Sequence, residues 1–170
     1  MKAVMKAVVR RVRPEDAARV RAIRLEMLAD TPLAYLERID EAAARPHGDF
    51  AARIATNASA PDSAQFIAES GGRVVGHAGG WAPPGEAGLT IIFAVYVTPR
   101  LRGTGVVGQL IDAIADWSRA EGRPLLGLEV IVGSDRAVRA YQQLGFVDTG
   151  KRKPHPTLPI LTEQLMVRPA

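Results

Sequence analysis

A chain of 170 residues, 47% apolar and 24% charged, is long enough for a substantial core and ordinary in composition for a globular protein. It has no cysteine, which excludes a disulfide framework, a thiolate nucleophile and a cysteine-ligated metal, and its three histidines, His47, His77 and His155, are too far apart to suggest a metal site. The net charge of +4, from 22 basic and 18 acidic residues, suits a small polyanionic ligand, and the basic residues lack the aromatic-rich stripe of a nucleic-acid binder.

The first residues, MKAVMKAVVRRVRPEDAAR, hold no apolar run long enough for a signal peptide. No stretch reaches the ~18 consecutive apolar residues of a membrane span. A cytoplasmic protein with one domain over residues 1–170 is expected. VVRRVR (8–13) reads as a short alternating strand ending at Pro14. Pro14-Glu15-Asp16 suits a helix start, because proline fits the first turn and acids the positive end of the dipole. Val20, Ile23 and Met27 give that helix one apolar face, and Asp30-Thr31-Pro32 ends it. Residues 33–58 suggest two short helices broken at Pro46-His47-Gly48.

Strand signals then dominate. QFIAES (65–70) and RVVGHAGGW (73–81) flank Gly71-Gly72, a two-residue hairpin turn. LTIIFAVYV (89–97) is the most apolar strand and is expected to be central. From Gly105 to Glu121, apolar residues at 106, 107, 110, 111, 114 and 117 have helical spacing. LLGLEVIV (125–132) is another buried strand. Ser134-Asp135 can cap a helix running to Leu144, with Gly145 at its end. FVDTGKR (146–152) and TEQLMV (162–167) read as closing strands, and Pro154, Pro156 and Pro159 between them suggest a stiff extended loop over a cleft.

Gly103, Gly105 and Gly108 spell G-x-G-x-x-G between a strand and a helix, with Glu129 on the next strand. That order matches a dinucleotide fingerprint. Against it, the five residues Thr98 to Arg102 separate the strand from the first glycine, a hairpin meander precedes the motif, and only about 60 residues follow. A pyrophosphate cradle fits better. A helix starting near Gly105 exposes unpaired N–H groups, Gly103 and Gly105 let the backbone approach closely, and Arg100 and Arg102 add positive charge at the rim. A turn needing glycine for sharpness alone is the plainer alternative.

Two motifs together resemble the GNAT superfamily of acyl-CoA-dependent N-acyltransferases. Arg100-Leu101-Arg102-Gly103-Thr104-Gly105 matches the family's Arg/Gln-x-x-Gly-x-Gly/Ala and follows Val95-Tyr96-Val97-Thr98-Pro99, a matching strand end. SDRAVRAYQQLGF places Ala137, Tyr141, Gly145 and Phe146 in register with the second signature, and Ser134 stands where the family usually has asparagine. The resemblance implies an α+β fold: a mixed, mostly antiparallel sheet of six or seven strands, about four helices and a splayed parallel pair. It further implies acetyl-CoA as cosubstrate. Backbone groups of Val95, Tyr96 and Val97 would hold the pantetheine arm. Gly103, Thr104, Gly105, Val106, Val107 and Gly108 would hold the pyrophosphate, with Arg100, Arg102 and Ser134 beside the cofactor.

Acetyl transfer to an amine requires the amine to lose a proton and the departing thiolate to gain one. Tyr141 matches the family's thiolate-protonating tyrosine; otherwise it is a core tyrosine beside Val138 and Leu144. Glu129 interrupts an apolar strand and would be a base of raised pKa if buried; otherwise it is a structural carboxylate paired with an arginine. Glu86 is a second candidate base, and His77 reads as structural. The expected partner is a small-molecule or peptide amine, with no metal, nucleic acid or membrane; a homodimer stays open. A non-catalytic acyl-CoA-binding module and a dinucleotide oxidoreductase are the alternatives.

Overall fold

The structure of the protein, a computed structural model, describes residues 6–170. The first five residues of the stretch read as free of a signal peptide lie outside it. Among the described residues seven strands form one sheet: β1 (Val8–Arg11), β2 (Ser63–Ser70), β3 (Arg73–Trp81), β4 (Leu89–Val97), β5 (Leu125–Ile131), β6 (Val147–Pro154) and β7 (Thr162–Pro169). Their order is β1-β2-β3-β4-β5-β7-β6. β4 and β5 pair in parallel and the other neighbours antiparallel. A dinucleotide fold needs a largely parallel sheet, and that sheet is not built here.

Among the described residues five α-helices accompany the strands: α1 (Ala17–Asp30), α2 (Ile39–Ala44), α3 (His47–Asn57), α4 (Val106–Ala120) and α5 (Asp135–Gln143). The expected break at Pro46-His47-Gly48 falls one step earlier. Pro46 stands before α3 and its carbonyl accepts the Phe50 N–H, so His47 and Gly48 belong to the first helical turn. Asp16, almost fully buried, accepts the Arg13 N–H at 2.8 Å and two bonds from the Arg10 guanidinium, at 2.7 and 2.9 Å. This locks β1 to the start of α1, and the guanidinium holds the carboxyl below its usual range.

The sheet's alternation sorts side chains onto two faces. On one, Ile92, Val97, Leu126, Leu128 and Met166 meet Leu110, Ile111 and Ile114 of α4 and the partly buried Tyr141 and Leu144 near α5. On the other, Val20, Phe50, Ile54 and Ile67 pack together, and Ile23, Met27 and Tyr96 form a neighbouring cluster. The turn at Gly71 and Gly72 has φ of 56° and 75°, as a tight hairpin demands.

The proline-rich segment differs from expectation. It is folded back: His155 donates its backbone N–H to Leu161, and its Nδ1 accepts the N–H groups of Thr157 and Leu158. A buried histidine holds the turn closed, so the prolines do not hold it extended.

Candidate active site

The parallel register of β4 and β5 covers Leu89–Leu125 through Ile92–Leu128, and beyond that the strands part. The cause lies in β4. His77 opposes Tyr96 and Gly79 opposes Phe93, so Ala94 and Val95 together face the single residue Ala78. That is a β-bulge, and Ala94 takes φ 51°, a left-handed conformation alanine rarely adopts. His77 supports it: Nδ1 donates to the Ala94 carbonyl at 2.9 Å, and Nε2 faces the Gln65 carboxamide at 2.9 Å. Burial lowers the His77 pKa to about 4, so the ring is neutral at physiological pH. Gly79 gives the Phe93 ring its place; a Cβ there would run into that ring.

At the bulge and just past it, side chains meet two strand carbonyls. Val95 accepts from the Tyr35 hydroxyl at 2.9 Å, and Val97 from Arg102 Nε at 3.0 Å. Between them Tyr96 is buried and its hydroxyl donates to Glu26 at 3.1 Å. Arg102 also pairs with Asp30 and lies over the Tyr96 ring. The two arginines expected at the rim therefore differ: Arg102 is tied to α1, while Arg100 is exposed.

Gly103 and Gly105 have φ of 76° and 88°, and Gly105 is the residue before α4. No side chain caps α4, so the N–H groups of Val106, Val107 and Gly108 at its start are left for a ligand or solvent. Thr104 turns its hydroxyl back to the Leu101 carbonyl. Gly108 has a packing role: a Cβ there would meet Leu144 at 3.3 Å.

One cleft of about 930 Å³ runs through the splay. Ser134, the residue before α5, and Ala137 and Tyr141 within it line the cleft at helical spacing along one face. Tyr141 sits edge-on to Phe146, and burial raises its hydroxyl pKa. Ser134 does not cap α5 with its hydroxyl. Its φ of −79° and ψ of 63° are not the extended values a capping serine needs, and its carbonyl accepts the Val138 N–H instead. Val95, Glu129, Glu86 and His77 line the same cleft, whereas the glycine turn stands outside the lining.

Leu126, Leu128 and Val130 enter the core, so Glu129 points to the opposite face. The expected burial is not there: Glu129 is exposed and pairs with Lys153 of β6, not with an arginine. The cleft carboxylate with a raised pKa is Glu163 of β7, lifted by burial and then by the charge of Glu129. Sequence reasoning missed Glu163, Lys153 and Tyr35. Glu163 shows itself only once β7 is known to lie between β5 and β6. Among the described residues, no group of three or more His, Cys, Asp or Glu is placed to hold a metal ion. Nor is any described helix long and apolar enough to cross a membrane.

A mixed sheet with a splayed parallel pair, a left-handed glycine turn opening a helix and a tyrosine facing the splay define an acyltransferase-like architecture. The family model for the acetyltransferase (GNAT) family matches residues 27–146, and the chain belongs to that family. Its fold resembles a GNAT acetyltransferase from Streptococcus pneumoniae, with TM-score 0.81 and 20% identity over 96% of this chain and 99% of that one. It also resembles yncA from Salmonella typhimurium, solved with its cofactor acetyl-CoA, with TM-score 0.76 and 18% identity over 96% and 94% of the two chains. An IAA acetyltransferase of Azospirillum brasilense is 33% identical over 95 residues, 56% of this chain and 61% of that protein. The matched stretches span 39% to 61% of the length of the curated relatives.

Proposed function

We propose that the chain is an acetyl-CoA-dependent N-acetyltransferase that acetylates a primary amine of a small molecule or peptide by direct attack in a ternary complex. One observation carries this: a single cleft passes through the splay, with Tyr141 on α5 and Glu129 on β5 both lining it. The residues suit the cosubstrate. A Cβ at Gly103 or Gly105 would meet nothing within 4 Å, so the turn is open, and the first N–H groups of α4 lack a cap. An open helix start of this kind favours phosphate.

Bound acetyl-CoA supplies the acetyl group as a thioester. Gly103 to Gly108 hold its pyrophosphate, Arg100 adds charge at the rim, and Arg102 sets the strand end beside it. The backbone of Val95, Tyr96 and Val97 aligns the pantetheine arm, and Ser134 borders it. Glu129 takes a proton from the acceptor ammonium, which frees the nitrogen lone pair for attack at the thioester carbon. Tyr141, kept protonated by burial, gives its proton to the sulfur as the carbon–sulfur bond breaks, and the surplus proton on the newly acylated nitrogen restores the phenol. The proposal takes residues 1–170 as one domain acting in the cytoplasm without nucleic-acid or membrane partners. Thiol release from acetyl-CoA across a panel of amines tests it: amine-dependent release is expected, and none with any amine would contradict it.

A further inference from the structure

β5, β7 and β6 bring a charged group to the cleft wall. Glu163 on β7 lies between Ile131 on β5 and Lys153 on β6 in the sheet register, and Glu129 is two residues before Ile131 on the same face. Glu163 is 7% exposed, and its Oε2 is buried without a hydrogen-bond partner. Lys153 Nζ pairs with Glu129 but stays 3.8 Å from that Oε2. His155 Nε2 stands 3.9 Å from the other oxygen, Oε1. All four side chains line the cleft.

A buried carboxylate without a hydrogen bond is unfavourable unless something arrives to complete it. The group already beside it is an ammonium, held at the end of a flexible side chain that is 49% exposed and free to swing outward. We infer that Glu129 and Glu163 form an ammonium-receiving subsite, filled by Lys153 in the free protein and by an ammonium group of a cationic aliphatic amine in the complex. This rests on the acetyltransferase reading and narrows its acceptor class. Displacing Lys153 leaves two carboxylates facing the acceptor, so a dication is favoured over a monocation and an anion is rejected. Glu163 acts here as a binding and positioning residue, and Glu129 keeps its proposed role toward the proton.

Calorimetric titration of the full chain, with and without saturating CoA, tests the subsite without needing turnover. The probes are 1,4-diaminobutane, butylamine and glutarate. The diamine is expected to bind at least tenfold more tightly than butylamine, and glutarate not at all. Glu163→Gln should weaken the diamine at least tenfold with CoA affinity unchanged, which also shows that the variant is folded. Lys153→Met removes the resident ammonium and should tighten the diamine at least threefold. Unchanged diamine affinity in Glu163→Gln, weaker affinity in Lys153→Met, or a preference for glutarate overturns the subsite. CoA binding without a diamine response defeats the subsite alone; failure to bind CoA defeats the acetyltransferase reading.

Discussion

The hydroxyl of Tyr35 donates a 2.9 Å hydrogen bond to the carbonyl of Val95, the second residue of the bulge that opens the splay. Tyr35 comes from the loop after α1, where the Arg24 guanidinium lies 5.6 Å from its ring centre. The contact bridges the cleft and takes a backbone acceptor that the proposed pantetheine site uses. Tyr35→Phe keeps the ring and frees the carbonyl. A typical hydrogen bond contributes about 0.5–1.5 kcal/mol net, so CoA should bind about 2- to 10-fold more tightly in the variant. Calorimetry with CoA reads this directly, and weaker binding would place Tyr35 inside the cofactor site.

Gly105 holds φ 88° as the residue before α4. Gly105→Ala puts a Cβ into a left-handed conformation, at a strain of about 1–2 kcal/mol, and into the turn proposed to receive the pyrophosphate. The expected result is a modest drop in melting temperature and at least a tenfold loss of CoA affinity. A variant of lower stability but unchanged CoA affinity would move the phosphate site elsewhere.

His77 ties stability to pH. Its folded pKa of about 4 lies below the ordinary 6.5, because burial disfavours the imidazolium. Below about pH 6.5 the unfolded chain takes up a proton that the folded ring refuses. Its contribution is constant above that pH, and stability falls as pH drops towards 4, by about 2 kcal/mol between pH 7 and pH 5. Urea unfolding of wild type and His77→Gln at both pH values isolates the effect, since the other titrating groups are common to both. Equal slopes would show that the ring titrates freely.

Local features were legible in the sequence and long-range ones were not. The left-handed turn at Gly103 and Gly105 follows from glycine itself, and the buried stripe Val106, Leu110, Ile111, Ile114 and Trp117 follows from helical spacing. The splay was expected from resemblance, but its device was hidden, because nothing in LTIIFAVYV marks Ala94 for φ 51°. Arg102 reads as a phosphate ligand until the fold brings Asp30 to it from 72 residues away. Glu129 reads as buried because its strand is apolar. α1 and α3 pack on β3 and β2, however, and leave that side of β5 to the cleft. Glu163 and Lys153 needed the strand order β5-β7-β6, which no local pattern carries.

The central claim, amine acetylation with Tyr141 as the proton donor to the leaving thiolate, is tested most directly by one measurement. Thiol release from acetyl-CoA with an accepted amine is followed in wild type and Tyr141→Phe, with CoA affinity measured in both. The account predicts amine-dependent release in wild type and a rate at least tenfold lower in Tyr141→Phe at unchanged CoA affinity. Release at the wild-type rate in Tyr141→Phe would contradict it.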